Sequence, residues 1–421
     1  MISPAILQIL KNKKIVLGIS SGIAIYKICE LARLLTKHQA EVHTVMSPNA
    51  TKMISPTVFE ALTGNNTWFD QWQQNQAGKM EHLQLSRRAS AILIAPATAN
   101  TIGKIANGLA DNLLTSIILG REKSTPLVLA PAMNAQMWEN PIVQKNIKIL
   151  QKHKVDILSP QVGELACNET GQGRLVEPRD LLLLLTKIIN TPKNKSLIGK
   201  KILISLGPTF EKIDPVRGIT NLSSGKMGIA IAKAAWLGGA EVDVIAGGGI
   251  KPFINIDNFE EQNIKWQNVE SANEMMKCLI NKIKNNKFDA FFSVAAIADF
   301  RPLLFKNQKI KKSDIAKVIN LELSKTEDIV ARIANLNKNR PKKIIGFAAE
   351  TENIWQNAQQ KLQSKSLDYI VANKAELAFN NDNNQVTIYA KSNIKKSSQP
   401  YKLKLMPKEI VANEILRFVQ I

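Results

Sequence analysis

The chain is poor in cysteine: 421 residues hold three, Cys29, Cys167 and Cys278, widely spaced and in no C-x-x-C pair. A disulfide scaffold is excluded, and a reducing cytoplasm fits. No apolar run is long enough to span a bilayer, and no basic, apolar, small-residue leader opens the chain, so neither a membrane nor a secretory protein is expected. The most apolar run, Leu181 to Leu185, is short and reads as the core of a helix. Acidic residues are also few, 35 against 56 Lys and Arg, for a formal net charge of +21. The basic residues are scattered among many Asn, with no long Lys/Arg block and no basic stripe interleaved with aromatics. Nucleic acid is therefore not the expected partner, whereas small anionic substrates gain from the same field.

What is there suffices for two domains, each with its own core. Strand and helix signals alternate: strands at 14–19, 41–46, 91–95, 127–130 and 155–158, a helix over 23–37, and a helix started by Ser47-Pro48 and ending near Gly64. The polar stretch Thr191 to Ser196 interrupts the series and marks a linker within 189–199. Alternation restarts with strands at 201–206, 241–245, 288–294, 343–347 and 369–371. A hairpin-like pair at 385–390 and 401–405 follows, then a last helix from Pro407. The fold class is α/β: two doubly wound parallel-sheet domains of Rossmann or flavodoxin-like type in tandem, 1–188 and 200–421.

Between the strand at 201–206 and a helix over 229–237 lies Gly207-Pro-Thr-Phe-Glu-Lys-Ile-Asp-Pro-Val-Arg217, then Gly218-Ile-Thr-Asn-Leu-Ser-Ser-Gly-Lys-Met-Gly228. Such a long, polar, Gly-rich connection is where an α/β sheet binds phosphate or a nucleotide. It is neither a P-loop, since Met227 follows Lys226, nor a G-x-G-x-x-G fingerprint. In the first half, Ser20-Ser-Gly22 reads equally as an anion-facing loop and as a tight turn. Ala95-Pro-Ala-Thr-Ala-Asn100 ends a strand at its carboxyl edge, and Asn134, after Pro131-Ala-Met133, reads as a turn or a ligand. Cys167, in the polar Gly-rich stretch 163–174, suits a mobile lid better than a core, whereas Cys29 and Cys278 sit in apolar helical patterns.

Together with Lys309-Ile-Lys-Lys312, these segments come in an order that resembles the bifunctional phosphopantothenoylcysteine decarboxylase/phosphopantothenate–cysteine ligase family of coenzyme A biosynthesis, from about Lys14 to Phe418. The resemblance implies an FMN-dependent decarboxylase domain at 1–188. Ser20, Gly22 and Ser47 would hold the FMN phosphate, and Thr98, Asn100 and Ser116 would lie near its ring or ribityl chain. His82 would act as base or orient the reacting group, Asn134 would hold the substrate carboxylate, and Cys167 would supply a proton.

The same resemblance implies a CTP-dependent ligase at 200–421, joining 4′-phosphopantothenate to L-cysteine through an acyl-cytidylate. Asn221 and Lys309 would be its catalytic pair. Asp299 would lie by the nucleotide or its Mg²⁺, and Asp328-Ile329-Val330 would cap phosphates. Phe347 would pack against cytosine, and Lys361 and Lys365 would reach the triphosphate, though on local grounds they also read as an exposed charged face. The chain has Ser21 where the family often has Gly, and Thr326-Glu327-Asp328 where it often has Asn-Pro-Asp. The resemblance further implies a homo-oligomer, a trimer-based dodecamer with ligase dimers. Two other readings are a single-function flavin-dependent cysteine decarboxylase, which residues 200–421 oppose, and a non-enzymatic flavin-binding regulatory protein, which the set His82, Asn134 and Cys167 opposes.

Overall fold

The structure, a computed structural model, describes residues 3–70, 81–165, 169–190, 196–257, 262–311, 320–350, 352–374, 381–391 and 399–421. The chain divides into two units, Met1–Thr191 with Ile254–Asn258, and Pro192–Phe253 with Phe259–Ile421. Residues 191–195 of the expected linker lie outside the described residues.

In the first unit β1 (Lys14–Ile19), β2 (Glu41–Met46), β3 (Thr67–Trp68), β4 (Ala91–Ala97), β5 (Leu127–Pro131) and β6 (Asp156–Ile157) form one sheet ordered β3-β2-β1-β4-β5-β6. Every pairing in it is parallel. β4 and β5 are buried at every residue, which is why they read as continuous apolar runs rather than alternating ones. Helix Ile25–Lys37 packs an apolar stripe on the sheet, helix Pro178–Ile189 packs on that helix in turn, and the 181–185 leucines are all buried.

Two expectations need correction. The helix before Gly64 spans Pro56–Thr63 with Ser55 at its N-cap, and Ser47-Pro48 leads only into a 3-10 turn, Ala50–Lys52. Pro56 has no N–H and pushes Ser55 out of helical geometry, so no helix runs through it from Pro48. The stretch 163–174 is no plain loop. β7 (Gln161–Glu164) and β8 (Thr170–Arg174) pair antiparallel across it.

The second unit repeats the winding. β9 (Lys201–Leu206), β10 (Phe210–Lys212), β11 (Gly218–Thr220), β12 (Glu241–Ala246), β13 (Ile264–Asn268) and β14 (Ala290–Ser293) come first. β15 (Phe300–Pro302), β16 (Leu323–Lys325), β17 (Lys343–Glu350), β18 (Tyr369–Lys374), β19 (Asn383–Asn384), β20 (Val386–Ala390) and β21 (Tyr401–Lys402) follow. The main sheet is ordered β13-β12-β9-β14-β17-β18-β20-β21, parallel as far as β18 and antiparallel beyond it. The expected parallel sheet is therefore mixed at one edge. β13 escapes a sequence reading because Ile-Lys-Trp-Gln-Asn is an edge strand with one buried residue. β10 and β11 form a small hairpin inside the long polar connection, as do β15 and β16 further on. Among the described residues no helix is long and apolar enough to cross a membrane.

Candidate active site

In both sheets the order runs outward from one central strand, β1 or β9, which is flanked by β2 and β4 or by β12 and β14. The strand order reverses between β1 and β4, and between β9 and β14, and in such sheets ligands bind at the carboxyl ends of the strands where this happens.

The first crevice is a cavity of ≈ 670 Å³ lined by Ser21, Gly22, Thr98, Asn134, Lys27 and Arg174 among others. Ser20 is 1% exposed. Its hydroxyl donates to Pro96 O at 2.6 Å and accepts from Thr98 N at 3.0 Å, so it clasps the two loops together. Thr98 caps helix Ala99–Ala106, accepting from Thr101 N. Gly22 opens toward the cavity at the start of helix Ile25–Lys37. Ser47 caps its turn through Ala50 N, and its own N–H donates to Ile19 O at the end of β1. Asn100 is exposed, and the Ser116 hydroxyl donates to Asn112 O at 2.9 Å. Neither of these two lines the cavity.

Asn134 is the N-cap of Ala135–Glu139. Its Oδ1 accepts from Gln136 N and its Nδ2 donates to Glu169 Oε2, both at 2.8 Å. Met133 N donates to Gly173 O at 3.0 Å, so β8 docks on the loop that carries Asn134, and Leu165 N donates to Glu169 O at 2.8 Å, which extends the β7–β8 pairing. Gly173 makes this docking possible: a Cβ there would lie 2.1 Å from Met133 O. Cys167 lies between Leu165 and Glu169, outside the described residues. His82 lies in helix Glu81–Arg88, and its side chain is likewise outside them.

Lys27 and Arg174, both lining the cavity, share Glu177 Oε1 at 2.8 and 2.6 Å. Burial pushes the Glu177 carboxyl up, but the two cations outweigh it and hold it below the usual range. Sequence reasoning gave neither cation a role. Arg174 closes the quoted Gly-rich stretch and was within reach, whereas Lys27 needs Glu177, 150 residues away, to define it. Backbone at a helix start, apolar Ala132, Met133 and Leu175, and two cations suit a phosphate-bearing planar ring.

In the second unit a cavity of ≈ 160 Å³ is lined by Ser223 to Gly228, Val294 to Ala296, Phe347, Ala349, Asn373, Asn384 and Lys408. Gly225 is the N-cap of helix Lys226–Leu237 with φ 67°, a left-handed conformation that glycine adopts without strain. Asn221 Nδ2 donates to Ala296 O and Ile297 O at 3.1 and 3.0 Å, tying the segment after β11 to the end of β14. Lys226 belongs to the polar connection singled out in the sequence, whereas Lys408, Asn373 and Asn384 lie outside every candidate site segment singled out there. Burial lowers the Lys408 pKa, and its Nζ donates to Asn381 O.

The remaining expected residues form satellites. Asp328 caps helix Ile329–Ala334 through Ala331 N at 3.0 Å and pairs with Lys365 at 2.9 Å. Ile329 is buried, and Val330 packs on the same core cluster. Lys361 pairs with Glu350 at 2.6 Å, three residues beyond Phe347 on β17. Asp299 and Lys309 are exposed. Among the described residues no group of three or more His, Cys, Asp or Glu would hold a metal by itself.

Comparison with known proteins agrees with this division. The family described as Flavoprotein matches residues 6–190, and the DNA/pantothenate metabolism flavoprotein C-terminal domain matches 197–421. The coenzyme A biosynthesis bifunctional protein CoaBC of Vibrio vulnificus is 38% identical over 417 residues, 98% of this chain and 99% of the relative. That of Bacillus subtilis is 37% identical over 411 residues, 97% of each. Among solved structures, the C-terminal domain of a CoaBC is 36% identical, covering 54% of this chain and 96% of that one, with a TM-score of 0.43. The FMN-dependent cysteine decarboxylase SpaF is 29% identical, covering 43% and 97%, with a TM-score of 0.37.

Proposed function

This chain belongs to the family of the bifunctional coenzyme A biosynthesis protein CoaBC, and on that premise we propose how its two crevices divide the work. It is an enzyme with two activities. The flavoprotein unit carries phosphopantothenoylcysteine decarboxylase and the C-terminal unit carries phosphopantothenate–cysteine ligase. The observation that carries our reading is that one chain holds two switch-point crevices, each with cations and a helix start facing it. A single-function flavin-dependent decarboxylase has no use for the second.

In the first crevice Gly22, Ser47 and the loops clasped by Ser20 would hold FMN with Thr98 on its ring side, while Asn100 and Ser116, outside the cavity lining, would contribute only from behind it. The flavin would supply reversible hydride uptake, which lets the substrate's cysteine moiety become a thiocarbonyl able to accept the electrons of the breaking C–CO₂ bond. Asn134 would orient the carboxylate, His82 would act as base or orient the reacting group, and Cys167 would return a proton to the enethiolate carbon. Lys27 and Arg174 add positive potential for the substrate's own negative charges.

In the second crevice CTP would activate the phosphopantothenate carboxylate as an acyl-cytidylate, and cysteine nitrogen would then displace CMP. Asn221 would place the carboxylate by turning one Nδ2 hydrogen from the Ala296 or Ile297 carbonyl onto it, and Lys309 would stabilise charge developing on the phosphate. Phe347 would wall the base. Asp328, the backbone of Ile329 and Val330, Lys361 and Lys365 would meet the triphosphate once it displaced their internal ion pairs. Mg²⁺ would arrive on the nucleotide, with Asp299 adding one oxygen. The exposed apolar strip Phe300, Leu303, Leu304, Phe305, Leu321 and Leu323 supports pairing of ligase units within a homo-oligomer.

The test is to supply phosphopantothenate and cysteine with each of the four nucleotides, measuring pyrophosphate and CO₂ release and flavin absorbance. We expect pyrophosphate with CTP above the others and CO₂ only from a yellow protein. Lys309→Gln is expected to abolish ligation and spare decarboxylation. Equal loss of both activities with the fold intact would contradict separate sites.

A further inference from the structure

We infer that Asp214 is a positioning residue for Lys309. The inference rests on the reading of Lys309 as the ligase lysine and adds the device that holds it in place. Asp214 lies on the loop between β10 and β11, and its side chain is completely buried. Oδ1 accepts from Val216 N and Arg217 N, both at 2.8 Å. Oδ2 accepts from Arg217 Nε at 3.1 Å and from Ile310 N at 3.2 Å. The Arg217 guanidinium then turns a second nitrogen onto Ile310 O. The Asp214–Arg217 pair thus holds both the N–H and the C=O of the residue that follows Lys309.

A second tie lies just upstream, where Lys306 N donates to Ile213 O at 3.0 Å. Lys309 sits between these two anchor points. Packing does little to place this segment, because Leu303, Leu304 and Phe305 are 57, 72 and 49% exposed. Hydrogen bonds to the buried Asp214 carboxylate, to its partner Arg217 and to Ile213 O therefore set its backbone path. β11 starts at Gly218, directly after Arg217, and Asn221 follows its end, so the same loop registers Lys309 against Asn221.

All four partners of the carboxylate are donors, which explains an aspartate here. An amide would turn its NH₂ toward two of them, donor against donor, at a site where water cannot compensate. The group touches none of the reacting atoms and acts only by fixing where Lys309 stands.

The test uses the full chain with Asp214→Asn. A displacement of about 1 Å at a catalytic group costs on the order of 100-fold, so kcat for ligation is expected to fall between about 10- and 100-fold. KM for CTP should change by less than about threefold, the split expected when binding groups are untouched. Decarboxylation of supplied phosphopantothenoylcysteine should be unchanged, and the peptide spanning 303–311 should take up deuterium faster. A merely structural aspartate would loosen the whole second unit and leave kcat per folded site unaltered, which would overturn the inference. Lys309→Gln, run alongside, judges the underlying reading by itself. If it abolishes ligation while Asp214→Asn keeps the parent kcat, only the positioning role fails; if it leaves ligation intact, the reading of Lys309 falls first. Should Asp214→Asn not fold, exchange in the parent protein decides. Slow exchange in the 303–311 peptide supports the tether, and exchange at the free-chain rate overturns it.

Discussion

The Asn134 carboxamide nitrogen donates to Glu169 Oε2 across 2.8 Å, joining the end of β5 to the far side of the segment that contains Cys167. Asn134 Oδ1 is held by Gln136 N, so the carboxamide has one orientation and its donor faces a carboxylate. A substrate carboxylate reaching Asn134 would meet the same donor.

Asn134→Asp isolates that donor. Aspartate caps a helix about as well as asparagine, so the cap on Ala135–Glu139 should survive. The new carboxylate would face Glu169 with like charge and raise one of the two pKa values. We expect decarboxylation to fall at least about 100-fold with flavin absorbance retained. Near-parent turnover would remove Asn134 from the reaction.

Cys167→Ser addresses the proton. A serine hydroxyl is a far weaker acid than a thiol, so CO₂ should still leave while the unsaturated, oxidised product accumulates, detectable by mass. Normal formation of 4′-phosphopantetheine by that variant would contradict the role of Cys167.

Gly173→Ala tests the docking of β8. The added methyl would press on the Met133 carbonyl, a backbone atom of the loop between β5 and helix Ala135–Glu139. Strain of this kind costs about 1–3 kcal/mol, so the first unit should melt lower and decarboxylate more slowly while ligation stays intact. An unchanged melting temperature would show that the hairpin is not held there.

Asp328 provides a pH dependence. Burial raises its carboxyl pKa, but the Ala331 N–H and Lys365 outweigh burial and hold it below the usual range. A carboxyl depressed on folding contributes stability above its unfolded pKa of about 3.9 and loses it as pH falls through the folded value. Asp328→Asn keeps a good N-cap but lacks the charge. The stability gap between parent and variant should therefore be full near neutrality and narrow below about pH 4. A gap constant with pH would rule out the charge as its source.

The sequence marks candidate positions where a strand end is followed by a turn. Thr98, Asn134 and Asn221 stand just beyond strand ends, which strand periodicity and turn chemistry mark locally, whereas Phe347 lies within β17 and only the resemblance singles it out. Lys27 with Glu177, Asp214 with Ile310 and Lys408 beside Ser223 were not readable, since each joins segments far apart in the chain. The hairpin β7–β8 is not legible in the stretch 163–174, because its glycines and polar residues serve close docking rather than a core.

Amino-acid order alone sets the alternation of strands and helices, the break near residue 191 and the polar connections at strand ends, because apolar period and backbone preference act over a few residues. Tertiary structure alone decides the mixed edge of the second sheet, which cations face each crevice, and how the loop bearing Lys309 is held. These depend on strand order and on hydrogen bonds between distant segments, which no local pattern encodes.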